Sequence, residues 1–204
     1  MPGLTLGTLM SEATAALGSR LDLSASVVSL HVNIAQSQVA KMLPHTELLA
    51  SATLVLAAGS NATVLPADFG EAVDVSRPNS YDSRGFRLLT AVPLRQIDNA
   101  STGTQTGTAN RYAISANSIL FYPTTTSQDT FTLRYVAVPA DMSLTTTLPS
   151  LHTRYHVAIL YKTIENLANR VVDNTRAGFY HNLFLSEMGA TPQPAETLTR
   201  SERS

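Results

Sequence analysis

The chain has 204 residues, 44% hydrophobic and only 14% charged, with fourteen Lys and Arg against fifteen Asp and Glu. That length suits one domain, or a domain with a sizeable insertion, and the composition can bury a core. The near-zero balance excludes a general nucleic-acid binder, which carries a strong basic excess, and the absence of cysteine excludes disulfides, thiolate chemistry and cysteine-ligated zinc.

Low charge also lowers solubility, which hints at a surface covered by partners. Twelve of the fourteen basic residues are arginine, the cation that suits interfaces and bidentate pairing. The N-terminal stretch has neither a basic n-region nor a signal-like apolar run, and no segment approaches the about 18 apolar residues of a membrane span. The expectation is a soluble product made in the cytoplasm.

In chain order, Leu6, Met10, Ala13 and Leu17 mark one face of a helix, with Thr5 as N-cap and Gly18 as its stop. A second helix begins near Asp22 or Ser24, carries the stripe Val28, Val32, Ala35, Val39 and Met42, and closes at Pro44. The two suggest a helical hairpin. Leu48 to Leu56 and Ala62 to Leu65 flank a Gly-Ser-Asn turn and read as a β-hairpin. Ala72 to Val75 and Phe86 to Leu89 read as short strands, with a turn cluster from Arg77 to Ser80 between them. Asn99 to Asn110 is a polar loop rich in Ser, Thr and Gly.

Three antiparallel strands follow: Arg111 to Ile114, Ile119 to Tyr122, and Thr130 to Val138. In the last, Phe131, Leu133 and Tyr135 share one face, the period of two that a half-buried strand requires. Pro149 marks a place where a helix can begin, with Val157, Leu160, Ile164, Leu167 and Val171 as its stripe. Asp173-Asn174-Thr175 breaks or caps the chain, and a last helix to Met188 carries Phe179, Tyr180, Leu183 and Phe184 as core or as an interface. From Gly189 the tail reads as extended or disordered on its own.

Motifs for chemistry are sparse. His152 and His156, at i and i+4, could share a helix face, with His181 as a third ligand only if the fold delivered it; Thr153 stands where a zinc protease needs its glutamate base. Polar or capping histidines are the simpler reading. No G-x-S-x-G elbow occurs, Gly103 and Gly107 precede no lysine of a phosphate loop, and Asp68, Glu71 and Asp74 read as solvated rather than as an acid–base pair. Asn61-Ala62-Thr63 and Asn99-Ala100-Ser101 match a glycosylation pattern that needs secretion to matter. One charge asymmetry remains: Arg77, Arg84, Arg87, Arg95 and Arg111 face only Asp82 and Asp98, and could converge on a phosphate or an acidic group.

The order of segments carries a resemblance. Leu65-Pro66-Ala67-Asp68-Phe69, Val92 to Asp98, Arg111 to Ile114, Ile119 to Pro123, Leu133-Arg134-Tyr135, Tyr155-His156 and Leu160-Tyr161, between helical ends, resemble the head-to-tail adaptor (connector) proteins of tailed bacteriophages over about residues 24–188. The resemblance implies an α+β fold: a helical bundle from N- and C-terminal helices with an inserted antiparallel β-domain. Its expected parts are N-terminal helices (1–46), β-domain (47–146), C-terminal helices (147–190) and an extended tail (191–204).

It further implies a structural virion protein of the neck, not an enzyme, with no cofactor, metal or membrane association. Such a protein forms a dodecameric ring between the portal protein and a tail or nozzle protein, extends the DNA channel, and touches passing double-stranded DNA without specificity. No site residue is carried over. Within the strand unit, the loop from Thr124 to Asp129 is the expected place for a neighbouring ring component to touch. A reading of a different class stays open, a β-rich tail or receptor-recognition module that uses its Thr/Ser loops. A hydrolase without the usual motifs is a third.

Overall fold

A computed structural model describes residues 3–18, 22–78, 85–101 and 105–189. The chain divides into two compact units, one of residues 1–43 with 139–204 and one of residues 44–138, in a mixed α+β fold.

In the first unit, helix α1 spans Leu6–Ala16 and α2 spans Ala25–Met42. Each starts where a hydroxyl can replace the missing intrahelical partner: Thr5 Oγ1 accepts from the Thr8 N–H at 3.2 Å, and Ser24 Oγ from the Val27 N–H at 3.4 Å. Gly18, at φ 78°, takes the left-handed conformation that ends α1. The buried face of α1 is Leu6, Leu9, Ala13 and Leu17, so Leu9 rather than Met10 completes the stripe. On α2 the stripe holds from Val28 to Val39, but Met42 is half exposed and Gln36 is fully buried.

The later helices of this unit, which sequence order makes α4 (His156–Arg170) and α5 (Asn174–Glu187), follow a short 3-10 turn at Thr153–Tyr155. The α4 start therefore lies beyond the Pro149 expected from sequence. Asp173 caps α5, its carboxylate accepting from the Arg176 N–H at 3.1 Å. Ala13, Leu17, Leu23 and Val28 from one end of the chain pack with Ile164, Leu167, Ala168 and Ala177 from the other. Chain entry is sealed by backbone bonds from Leu6 N–H to Thr147 O and from Gly7 N–H to Thr145 O, both 2.8 Å.

The second unit is built of strands: β1 (Leu49–Leu56), β2 (Ala62–Val64), β3 (Phe69–Pro78), β4 (Phe86–Leu88), β5 (Thr90–Ala91), β6 (Arg111–Ser115), β7 (Ser118–Tyr122) and β8 (Asp129–Ala137), with helix α3 at Leu94–Ser101. They form two four-stranded sheets, ordered β1-β8-β3-β4 and β2-β7-β6-β5. Leu54, Leu56, Val75, Leu133 and Phe131 from one sheet meet Tyr112, Ile119 and Phe121 from the other in a single apolar core. Phe121 and Phe131 stack with ring centroids 4.3 Å apart.

Several expectations are corrected here. The segments 48–56 and 62–65 are strands but not a hairpin: β1 pairs with β8 and β2 with β7, in different sheets. The Gly59 N–H is bonded to Thr125 O rather than across such a hairpin. Likewise the three central strands are not one ladder. β6 and β7 form a hairpin through the two-residue loop Ala116–Asn117, whereas β8 crosses into the other sheet. Both β7 and β8 have apolar inner faces, so facing each other buries more apolar surface than lying side by side. The β5–β6 pair is parallel, so the strand region is not purely antiparallel. Helix α3 occupies the start of the expected polar loop.

β3 is also longer than expected and carries register shifts between Phe69 and Glu71 and between Ala72 and Asp74. Gly70 sits in the first, where a Cβ would come within 2.8 Å of Val136 O. The turn cluster 77–80 begins inside β3, and residues 79–84 lie outside the described residues, as do Gly103 and the tail beyond Gly189.

Candidate interaction surfaces

The three histidines take separate roles. His156 is buried at the head of α4, where Nδ1 accepts from the Leu4 N–H at 2.9 Å and Nε2 donates to Leu151 O at 3.1 Å, so one ring nitrogen ties the chain start to α4 and the other holds the segment leading into it. His152 caps the 3-10 turn, accepting from the Arg154 N–H at 3.3 Å. His181 on α5 lies 3.3 Å from Glu165, whose carboxylate also takes Lys162 Nζ at 2.9 Å through each oxygen. Among the described residues no group of His, Cys, Asp or Glu is gathered as metal ligands.

The carboxylates near β3 are also dispersed. Asp68 accepts from the Tyr135 hydroxyl at 2.9 Å, Asp74 pairs with Arg134, and Glu71 is exposed. Burial, together with the hydrogen bond to the Asp68 carboxylate and its charge, pushes the Tyr135 hydroxyl above the ordinary tyrosine range. Burial, with Asp74 nearby, does the same to Tyr112. The Asp74 hydrogen bond and charge raise Arg134 further. In the helical unit, burial and the Arg170 charge hold His31 below its ordinary value, and its Nδ1 is buried with no hydrogen-bond partner.

The arginines between 77 and 111 separate into two kinds. Arg77 pairs with Asp129 at 2.8 Å and stands directly across the β3–β4 ladder from Arg87. Arg87, Arg95 and Arg111 are exposed, and Arg84 and Asp82 lie outside the described residues. The loop after β7 is partly tied down: Thr124 O and Thr125 O accept from the Gly107 and Gly59 N–H groups, leaving residues 126–128 as its exposed part.

An open surface not legible in the sequence lies along one sheet edge. Strand β1 is an edge strand of eight residues, Leu-Ala-Ser-Ala-Thr-Leu-Val-Leu, with no charge, no proline and no shift in its register with β8. Those are the devices by which proteins blunt sheet edges, and among the described residues the other three edge strands have three residues or fewer. Across the outer face of the same sheet, Leu49 stands beside Val136, Thr53 beside Thr132, and Ser76 beside Leu88. The face is lined mainly by methyl and hydroxyl groups, with the Asp74–Arg134 pair among them. Absence of charge over eight residues was visible in the sequence; that this strand lies at an edge was not.

The helical unit has open apolar positions too. Leu30 on α2, Leu144 and Leu148 before α4, and Phe179 on α5 are at least half exposed. Of the aromatic stripe expected as core or as an interface, Phe184 is in the core and Phe179 is exposed. At the α4–α5 turn Val172 adopts φ 59° and is 79% exposed, a β-branched side chain held in the left-handed region.

Uncovered apolar surface among the described residues of both units is suited to contact with partners. The family model described as SU10 adaptor protein matches residues 4–203, and the chain belongs to that family of phage head-to-tail adaptors. No curated protein matches the chain. The family is a structural one rather than a class of enzymes, its setting is the virion neck, and its members contact portal and tail partners. No helix among the described residues is long and apolar enough to cross a membrane.

Proposed function

We propose that the protein is a ring-forming adaptor between portal and tail. The helices from both chain ends form one bundle that carries the strand-built unit as an insertion, and the ring extends the channel through which DNA passes. A dodecamer is the ring this reading expects. Closure of a cyclic ring covers two faces of every subunit, which gives uncovered apolar surface a destination.

The observation that carries the reading is the unblunted edge of β1, within a chain matched by the adaptor family along nearly its whole length. Such an edge is suited to taking a strand from another chain. Incubating the protein with portal complexes and imaging the product by electron microscopy tests the reading. A cyclic layer of adaptor on the portal is expected. Tight binding to a cell-surface glycan with no affinity for portal would instead favour a receptor-recognition module.

A further inference from the structure

A small recess of about 90 Å³ opens beside the β3–β4 ladder, lined on one side by Arg77, Arg87 and Leu89 and on the other by Thr108, Ala109 and Asn110. Arg77 and Arg87 are register partners in adjacent antiparallel strands, an arrangement in which like charges repel. Arg77 is relieved by Asp129, whose two oxygens lie 3.0 and 2.8 Å from its Nε. One of those oxygens also accepts the Thr130 N–H at 2.9 Å, so that carboxylate is already engaged. Arg87 makes no hydrogen bond or ion pair with any described residue.

The opposite wall supplies neutral donors. The Thr108 hydroxyl and the Asn110 side-chain amide are exposed and likewise without a described partner, while Ala109 between them is buried in the core. Both walls are fixed. Asn110 donates its backbone N–H to Tyr122 O and accepts from the Thr90 N–H, each at 3.0 Å, and the Leu89 N–H reaches Val75 O at 2.9 Å. An unpaired guanidinium, a hydroxyl and an amide therefore line one recess from backbone held in place.

We propose that this recess binds a single carboxylate, a glutamate side chain from a partner protein chain. Its charge complements Arg87, its second face can accept from Thr108 and Asn110, and its methylenes lie against Leu89. The recess already shows the chemistry once, since Asp129 holds the neighbouring arginine in the same way. A DNA backbone fits it less well: a duplex is held by a row of cations along its phosphates, whereas among the described residues one unpaired cation lines this small notch, beside neutral donors. The proposal does not require that the protein form a ring.

The test uses the full chain labelled with ¹⁵N, following the Arg Nε–H and Asn110 side-chain signals. N-acetyl-glutamate N-methylamide, its glutamine counterpart and a short DNA duplex are titrated separately. The glutamate compound is expected to shift Arg87 and Asn110 saturably, and the glutamine compound to leave them in place. Arg87→Gln should weaken binding by about tenfold or more. Arg87→Lys should fall between, because it keeps the charge and loses the planar fork. Unchanged spectra of the remaining residues show that each variant is folded. Equal response to both amino-acid compounds, or no saturable response, overturns the proposal. Saturation by DNA without response to glutamate assigns the recess to phosphate and overturns it equally.

Discussion

In the helical unit, buried polar side chains join segments far apart in the chain, whereas the strand-built unit joins its two sheets through aromatic and aliphatic contact. Gln36, fully buried on α2, donates to Ala140 O at 2.9 Å and accepts from the Ser150 N–H at 3.2 Å. Asn33, one turn earlier, donates to Met142 O at 3.2 Å and accepts from the Met142 N–H at 2.9 Å. Two side chains thus hold the returning strand of chain by its own backbone groups. Between the sheets, Phe121 on Phe131 makes the central contact. Directional bonds fix which backbone segment lies on α2; apolar contact supplies cohesion but little directional choice.

The largest expected loss comes from breaking the second arrangement. Phe131→Ala removes a fully buried ring from the centre of the sandwich and should cost about 3–5 kcal/mol, read by urea unfolding. Breaking the first should cost less but distort more. Gln36→Leu leaves the Ala140 carbonyl and the Ser150 N–H without their partner, a loss of about 2–3 kcal/mol, with faster hydrogen exchange along residues 139–151. The smaller Ser24→Ala change removes the cap of α2 and should cost about 1 kcal/mol.

Acid should separate the units as well. Burial, then the Arg170 charge, holds His31 below 6.5, so below that pH the unfolded chain binds more protons than the folded one. The stability contributed by neutral His31 is full above about pH 6.5 and is lost as pH falls through the lowered folded value. His31→Gln should flatten that part of the pH–stability curve of the helical unit, measured by circular dichroism at 222 nm. The smallest effect on stability is expected from Thr53→Lys, which charges the outer face of the β1 edge. It should change unfolding by about 0.5 kcal/mol or less, yet reduce assembly onto portal complexes.

How much of this was legible follows the range of the interaction. Thr5, Ser24 and Asp173 announce their helices because a cap is satisfied within three residues. The alternation of Phe131, Leu133 and Tyr135 gives the inner face of β8 for the same local reason. Partner choice is different. Nothing within 48–65 says that β1 and β2 belong to separate sheets, since β8 lies more than seventy residues further on. Gln36 reads as a break in an apolar stripe until residues 140–150 supply its partners. Helix α3 was hidden by its shortness and by the Ser- and Thr-rich sequence that follows it. The adaptor family, by contrast, was legible from the order of short segments, whereas the β1 edge and the Arg87 recess needed the fold.

The most direct test of the central claim is cryo-electron microscopy of this protein bound to the portal of its own phage. A closed ring of adaptor subunits seated on the portal around an open axial channel, with β1 covered by a neighbouring chain, is the expected result. Subunits scattered without cyclic order, or absent from the portal while present elsewhere on the virion, would contradict it.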